Sequence, residues 1–153
     1  ISAFGAVGGS AEAQAKIADG LDAFANYGYT HSRIKAYGVD PTQVGNWTPY
    51  VPKETWSMGL QYRTPITDDI GIFARGDVDH HGKQYWDPEN STARSSYELF
   101  NARLGFEKPD GSWSLVASVD NLFDKKYNAE WVLGGFAQTG LPRTWSIDLS
   151  VRF

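Results

Sequence analysis

The sequence predicts an all-β chain: an antiparallel, up-and-down transmembrane β-barrel wall of about seven strands. Three observations lead there. Seven segments alternate apolar and polar residues with the period of two that a strand imposes. Short turns and long links join those segments in strict alternation. Aromatic residues make up 14% of the chain, with six Trp and eight Tyr, side chains favoured where one end is apolar and the other wet.

The first segment, Ile1–Ile17, sets Val7, Ala11, Ala13, Ala15 and Ile17 against Ser10, Glu12, Gln14 and Lys16. Leu21–Arg33 sets Leu21, Ala23, Ala25, Tyr27 and Tyr29 against Asp22, Asn26, Thr30 and Ser32. Thr55–Arg63 sets Trp56, Met58, Leu60 and Tyr62 against Ser57, Gln61 and Arg63. Ile70–Trp86 sets Ile72, Ala74 and Val78 against Arg75, Asp77, Asp79, His81 and Lys83, with His80 on the apolar side. Tyr97–Glu107 carries Phe100, Ala102, Leu104 and Phe106 opposite Asn101 and Arg103. Trp113–Phe123 carries Leu115, Ala117 and Val119 opposite Ser114, Ser118 and Asp120. The last segment, Leu141–Phe153, keeps Trp145, Ile147, Leu149, Val151 and Phe153 on one face up to its final residue. No segment sustains a 3.6-residue period.

The short connections are Ala18-Asp19-Gly20, Thr67-Asp68-Asp69 and Pro109-Asp110-Gly111-Ser112, all rich in turn formers. The long ones lie near 36–53, 87–94 and 128–140. Membrane barrels have short periplasmic turns at one end and longer extracellular loops at the other, which places the C-terminus on the periplasmic side. The ionisable residues on the apolar faces, Arg33, Glu98 and Arg143, all adjoin long links, hence the outer rim. A charge at mid-bilayer would cost ~2–4 kcal/mol. Aromatics sort into two bands, Tyr62, Phe106, Trp113 and Phe153 at the short-turn end and Tyr27, Tyr29, Trp56 and Trp145 toward the other. Alternation alone leaves a soluble antiparallel sandwich open, because its apolar faces could meet in a core.

Composition narrows the function. Mean hydropathy is −0.42, and no run approaches the roughly 20 apolar residues of a spanning helix. Without cysteine there is no thiolate metal site, disulfide or Cys nucleophile. A net charge of −4 and no basic RNA-type motif argue against nucleic acid. The chain starts at Ile1, and single-chain bacterial barrels have an even strand count. Both point to a piece of a larger barrel that pairs with strands outside this sequence.

Val119-Asp120-Asn121-Leu122-Phe123-Asp124-Lys125-Lys126-Tyr127 resembles the penultimate-strand signature of TonB-dependent outer-membrane receptors, which show a similar Asn-Leu-(Phe/Thr)-Asp-x-x-Tyr. Gly140-Leu141-Pro142-Arg143-Thr144 is similar to the Gly-x-Pro-Arg-Thr that leads into that family's last strand, and Phe153 to its terminal Phe. The resemblance implies a C-terminal portion, residues 1–153, of a barrel of ~22 strands around a plugged lumen, with the plug domain and TonB box outside this sequence. It implies the outer membrane of a Gram-negative bacterium. The implied partners are outer-membrane lipid, the remaining strands and plug, the TonB complex through the absent N-terminal part, and the barrel-assembly machinery through the last strand and Phe153. The implied function is TonB-dependent uptake of a scarce nutrient, first an iron–siderophore complex, with carbohydrate or cobalamin as alternatives. A small non-transporting barrel or adhesin is the reading from another class. Asn121, Leu122, Phe123, Asp124, Tyr127, Pro142, Arg143, Thr144 and Phe153 are expected to serve strand exit and assembly rather than ligand binding, since Asn and Asp bond nearby backbone.

Candidate ligand contacts are the loop aromatics Trp47, Tyr50, Trp86, Trp131 and Phe136, able to grip flat or apolar ligands. Asp77, Asp79 and His81 share one strand face, but steps of ~7 Å are wide for a single ion, so they read as hydrated lumen lining and no metal or other cofactor is expected. The two Asn-x-Thr triplets, Asn46-Trp47-Thr48 and Asn90-Ser91-Thr92, read as chance matches to a glycosylation sequon. No Ser-His-Asp order, phosphate loop or convergent carboxylate pair suggests catalysis, and no catalytic residue is named.

Overall fold

The computed structural model describes residues 2–132 and 135–152. Ile1 and Phe153, the expected assembly residue, lie outside them. Eleven strands are present among the described residues: β1 Ser2–Ala18, β2 Leu21–Tyr37, β3 Glu54–Pro65, β4 Gly71–His81, β5 Gln84–Tyr85, β6 Ala93–Arg94, β7 Tyr97–Glu107, β8 Trp113–Asp120, β9 Asn128–Val132, β10 Phe136–Thr139 and β11 Thr144–Val151. Seven of them form one antiparallel meander in the order β1-β2-β3-β4-β7-β8-β11. The small strands pair as two hairpins, β5 with β6 and β9 with β10, inside the long loops. A single 3₁₀ turn, Pro41–Gln43, is the helical element, and no helix is long and apolar enough to cross a membrane.

Register settles the faces. Residues opposite one another in an antiparallel pair share a face. Tyr27 pairs with Trp56, Trp56 with His80 and His80 with Glu98 in one row. Tyr62, Ala74, Leu104, Ala117 and Ile147 form a second row on the same face, and Ile72, Phe106, Leu115 and Leu149 a third. Nothing covers this face: Leu104 is 58% exposed, Leu149 69% and Ile147 76%. A sandwich lays a second sheet over its apolar residues, and the described residues contain none. Leaving such side chains in water costs ~1.5–3 kcal/mol each; hydrocarbon removes that cost.

The rows also place the aromatics. Tyr62, Phe106 and Trp113 sit by the short turns, and Tyr27, Trp56 and Trp145 nearer the long loops, the two girdles of a membrane barrel. The three rim charges all have partners. The Arg33 guanidinium lies 3.9 Å from the Trp47 ring centroid and donates to the Gly45 carbonyl. Glu98 Oε1 lies 2.8 Å from His80 Nδ1. Arg143 Nη1 donates to the Leu122 carbonyl.

The short turns explain why the strands reverse where they do. Gly20 has φ 75°, and a Cβ there would lie 2.0 Å from the Arg63 carbonyl oxygen, so only glycine fits. In the second turn the Thr67 hydroxyl accepts the N–H groups of Asp69 and Ile70, so a threonine holds the turn rather than the adjacent aspartates. In the third, Asp110 accepts the Ser112 N–H.

Several boundaries differ from the alternation. The segment expected to run to Trp86 leaves the sheet after His81, because Gly82 turns to donate to the Glu54 carbonyl and β5 then folds onto β6. Lys83 is therefore off the strand and lies over Tyr85, at 4.6 Å. The segment expected to reach Phe123 stops at Asp120, and the last strand begins at Thr144 rather than Leu141. β2 instead runs past Arg33 to Tyr37, with a bulge that leaves Lys35 of β2 unpaired opposite Ala3 and Phe4 of β1.

Candidate functional site

The polar face, opposite the apolar rows, carries a connected wall. The Arg75 guanidinium stacks on Phe24 at 4.2 Å and its Nε donates to Asp77 at 3.0 Å. Asn101 Nδ2 bridges the two carboxylates, 2.9 Å from Asp77 Oδ2 and 2.9 Å from Asp79 Oδ2. Gly59 makes the room: a Cβ there would meet the Phe24 ring and the Gly76 carbonyl, each at 2.6 Å. Asp77 and Asp79 are thus occupied as acceptors, and among the described residues no group of three ligand-type side chains is gathered around one point.

Toward the long loops the wall becomes aromatic. His81, Tyr97 and Tyr127 stack in sequence, with centroids 4.9 and 4.4 Å apart. Arg94, brought down by the β5–β6 hairpin, lies 4.8 Å from the Tyr97 centroid and 5.7 Å from that of Trp86, and donates to Gln84 Oε1. Its Nε is buried with no hydrogen-bond partner, and no carboxylate neutralises it among the described residues. An uncompensated guanidinium framed by aromatic rings suits an anionic, flat group. Sequence reading missed Arg94, Gln84 and Asn101. Arg94 sits in a polar run with no periodicity, and only the hairpin turns it inward.

The five loop aromatics are placed differently from one another. Trp86 is buried, 5% exposed, edge-on to Tyr50 at 5.3 Å, so it supports the surface instead of presenting itself. Trp47 is half-buried between Arg33 and His31. Tyr50 is exposed, at φ 63°, and its hydroxyl donates to the Trp131 carbonyl at 2.6 Å. Phe136 is 73% exposed and Trp131 half-buried, both on the β9–β10 hairpin.

Side-chain amides clasp the first two long loops, residues 38–53 and 82–96. Asn90 behaves as a strand partner of Trp47: its Oδ1 accepts the Trp47 N–H at 2.8 Å and its Nδ2 donates to the Trp47 carbonyl at 2.9 Å. Asn46 Nδ2 donates to the Pro88 carbonyl and Gln43 Nε2 to Glu89. Both sequon asparagines are therefore engaged in structure. Asp87 closes the second loop. Burial would raise its pKa, but the N–H groups of Ser91 and Thr92 on its carboxylate outweigh burial and hold it below the ordinary value of 3.8. A lowered carboxylate pKa gives stability that is complete above 3.8 and fades as pH falls through the folded value. The Ser91 and Thr92 amide resonances should accordingly shift with acid at a midpoint below pH 3.8.

The signature residues form a knot where β8 leaves the sheet. Asn121, 4% exposed and at φ 53°, accepts the Lys125 N–H at 2.7 Å and donates to the carbonyls of Lys125 and Leu141. Its own N–H goes to Asn101 Oδ1, which ties the knot to the polar wall. Leu122 N–H donates to the Phe100 carbonyl, and Phe123 packs edge-on to Phe100. Asp124, at φ 51°, accepts the Arg143 N–H and pairs with Lys126, which lowers its pKa. Thr144 bonds back to the Pro142 carbonyl. Tyr127 lies over Gly140, where a Cβ would strike its ring.

Residues 7–122 match the family model described as TonB dependent receptor-like, beta-barrel. The chain belongs to the TonB-dependent receptor β-barrel family. Its place is therefore the outer membrane of a Gram-negative bacterium, and its relatives in that family are receptors and transporters. It is 27% identical over 152 residues to the ferric-pyoverdine receptor of a Pseudomonas strain, covering 97% of this chain and 18% of that one. It is 30% identical over 121 residues to the ferrichrome outer membrane transporter and phage receptor of Escherichia coli, covering 77% and 16%. The chain thus spans under a fifth of the length of these curated relatives. Among solved structures, the ferric yersiniabactin uptake receptor of Yersinia pestis superposes with a TM-score of 0.84 at 23% identity, over 99% of this chain and 24% of that one. That likeness shows the fold: seven neighbouring strands of a TonB-dependent receptor barrel.

Proposed function

We propose that this chain is the C-terminal part of the barrel of a TonB-dependent receptor that imports a scarce nutrient, an iron–siderophore complex. The observation that carries the reading is the mouth, where an unneutralised Arg94 stands among Tyr50, Trp86, Tyr97 and Tyr127 above a polar wall. Ferric chelates of the kinds named for the relatives combine anionic oxygen donors with flat or apolar parts, and this surface complements both. Tyr50, Trp131 and Phe136 are the loop aromatics assigned to cargo, with Trp47 and Trp86 holding the loops behind them.

In this reading the missing strands close β1 and β11, whose unpaired backbone groups would each cost several kcal/mol in lipid. A plug fills the lumen against the Arg75–Asp77–Asn101–Asp79 wall, and the TonB complex acts through the N-terminal part of the receptor. The C-terminal segment, β11 and the sequence after it to Phe153, is the element the assembly machinery takes up. The chain does no chemistry; binding and passage are its work.

The test is uptake of radiolabelled ferric chelates by iron-starved cells carrying the full receptor. Arg94→Gln should weaken cargo binding roughly ten- to a hundredfold, as expected for losing a charge-assisted contact of ~1.5–3 kcal/mol, with folding unchanged. Uptake of sugars or cobalamin but of no ferric chelate would refute the cargo assignment.

A further inference from the structure

Asn101 touches both the lumen wall and the knot where β8 leaves the sheet. Its amide nitrogen donates to Asp77 Oδ2 and Asp79 Oδ2, each at 2.9 Å, and its oxygen accepts the Asn121 N–H at 3.1 Å. The orientation follows from chemistry alone. Ionised carboxylates only accept and a backbone N–H only donates, so the NH2 group must face the aspartates and the carbonyl must face Asn121. All three bonds are part-buried, where water is a poor substitute for a lost partner. From Asn121 the connection runs outward. Its amide holds Lys125 and Leu141, which joins the chain on either side of the third long loop. The Gly140 N–H closes the same base on the Tyr127 carbonyl at 2.8 Å.

That base carries the mouth. The Tyr127 ring stacks on Tyr97 with centroids 4.4 Å apart, and Tyr97 faces the Arg94 guanidinium at 4.8 Å. The β9–β10 hairpin, with Trp131 and Phe136, rises from the same stems. Asn101 itself lies four positions below Tyr97 on β7 (101 − 97), ~13 Å along the strand, so it acts on the mouth only through Asn121. We infer that Asn101 is a positioning residue for cargo binding. The two aspartates fix its amide, its carbonyl fixes Asn121, and Asn121 fixes the place of Tyr127 and of the hairpin. The lumen wall thereby shapes the entrance, and any change that takes Asp77 or Asp79 away from Asn101 loosens the third loop without touching cargo. The inference rests on the reading that cargo binds at Arg94 and the tyrosines around it.

The experiment uses the full-length receptor in iron-starved cells and takes two readouts per assembled receptor. One is the concentration dependence of uptake of the radiolabelled ferric chelate that the wild type imports. The other is the rate at which added trypsin cuts after Lys125 and Lys126, both exposed at the base of the loop, followed by mass spectrometry. Asn101→Ala should raise KM roughly tenfold with the maximal rate within about twofold, and should speed cleavage roughly tenfold. Asn101→Asp keeps the acceptor for Asn121 but turns a third carboxylate on Asp77 and Asp79, and should do the same. Asn101→Asp/Asp77→Asn/Asp79→Asn reverses the donors, with amides at 77 and 79 giving to a carboxylate at 101, and the amide oxygen at 77 still accepts from Arg75. That exchange should bring both readouts back to within about twofold of wild type, a recovery that a side chain merely filling space would not show. It decides the matter even where Asn101→Ala fails to assemble. Arg103→Ala, two positions along the same face, should change neither readout. Unchanged KM and cleavage in Asn101→Ala, a fall in maximal rate at constant KM, no recovery in the exchanged variant, or an equal effect of Arg103→Ala would each overturn the inference. The trypsin rate needs no cargo, so it tests the tie even where the cargo reading fails, and Arg94→Gln reports on that reading separately.

Discussion

Leu104→Arg should all but abolish assembled receptor in the outer membrane, while Arg103→Ala, one residue away, should leave its level within a factor of two or so. Leu104 sits in the middle row of the apolar face, between Ala74 and Ala117, with its side chain directed at lipid. A cation there costs ~2–4 kcal/mol at the bilayer midplane, against a typical total stability of only ~5–15 kcal/mol. Arg103 faces the other way, opposite Arg75 and Ser118 on the polar side. Ala74→Arg should behave like Leu104→Arg. Arg75→Ala loses its contacts with Asp77 and Phe24 on a hydrated wall, a change on the order of 1 kcal/mol or less. Heat-modifiable migration of membrane-extracted receptor measures all four. Equal losses from the two faces would sink the in/out assignment.

The second large effect concerns the knot at Asn121. Asn121→Ala should destabilise the barrel by ~3 kcal/mol, because it removes the buried Asn121 amide and strands the part-buried Lys125 N–H and the Lys125 and Leu141 carbonyls together. It also places a Cβ residue with no compensating side-chain bond at φ 53°, where asparagine is tolerated. Asn121→Gly separates the two causes: it fits the backbone but lacks the amide. If hydrogen bonding dominates, the glycine variant stays nearly as unstable as the alanine one in urea-dependent unfolding from detergent. Full recovery with glycine would show that the backbone conformation is what the asparagine supplies.

The parts of this molecule that were legible in the sequence are those governed by a repeating physical rule. A period of two sorts Met58, Leu60 and Tyr62 from Ser57, Gln61 and Arg63 wherever one face meets lipid and the other water, and the register bears this out pair by pair. The seven strands, the turns at Gly20 and Gly111, and the rim position of Glu98 followed from it. The strand ends did not. Asn121 leaves the sheet through a side chain that caps a carbonyl twenty residues away, and Gly82 turns toward Glu54, neither of which alternation can register. The loops were least legible. Trp47 and Trp86 look alike as loop tryptophans, yet one is clamped by Arg33 and the other buried beneath Tyr50. Arg94 had no pattern at all, because its place depends on a two-residue hairpin and on tyrosines from two other segments.

β2 stays in register with β3 only as far as Tyr29, and then continues to Tyr37 with β1 alongside. Positions 30 to 37 span ~26 Å of strand, or ~19 Å of height at a ~45° tilt. On this flank the barrel is a stiff parapet, whereas the neighbouring flank is topped by loops. The opening is lopsided. Anything diffusing in along the cell surface from the β1–β2 side meets a wall, and from the β7–β8 side it meets loops, so the entrance has a front.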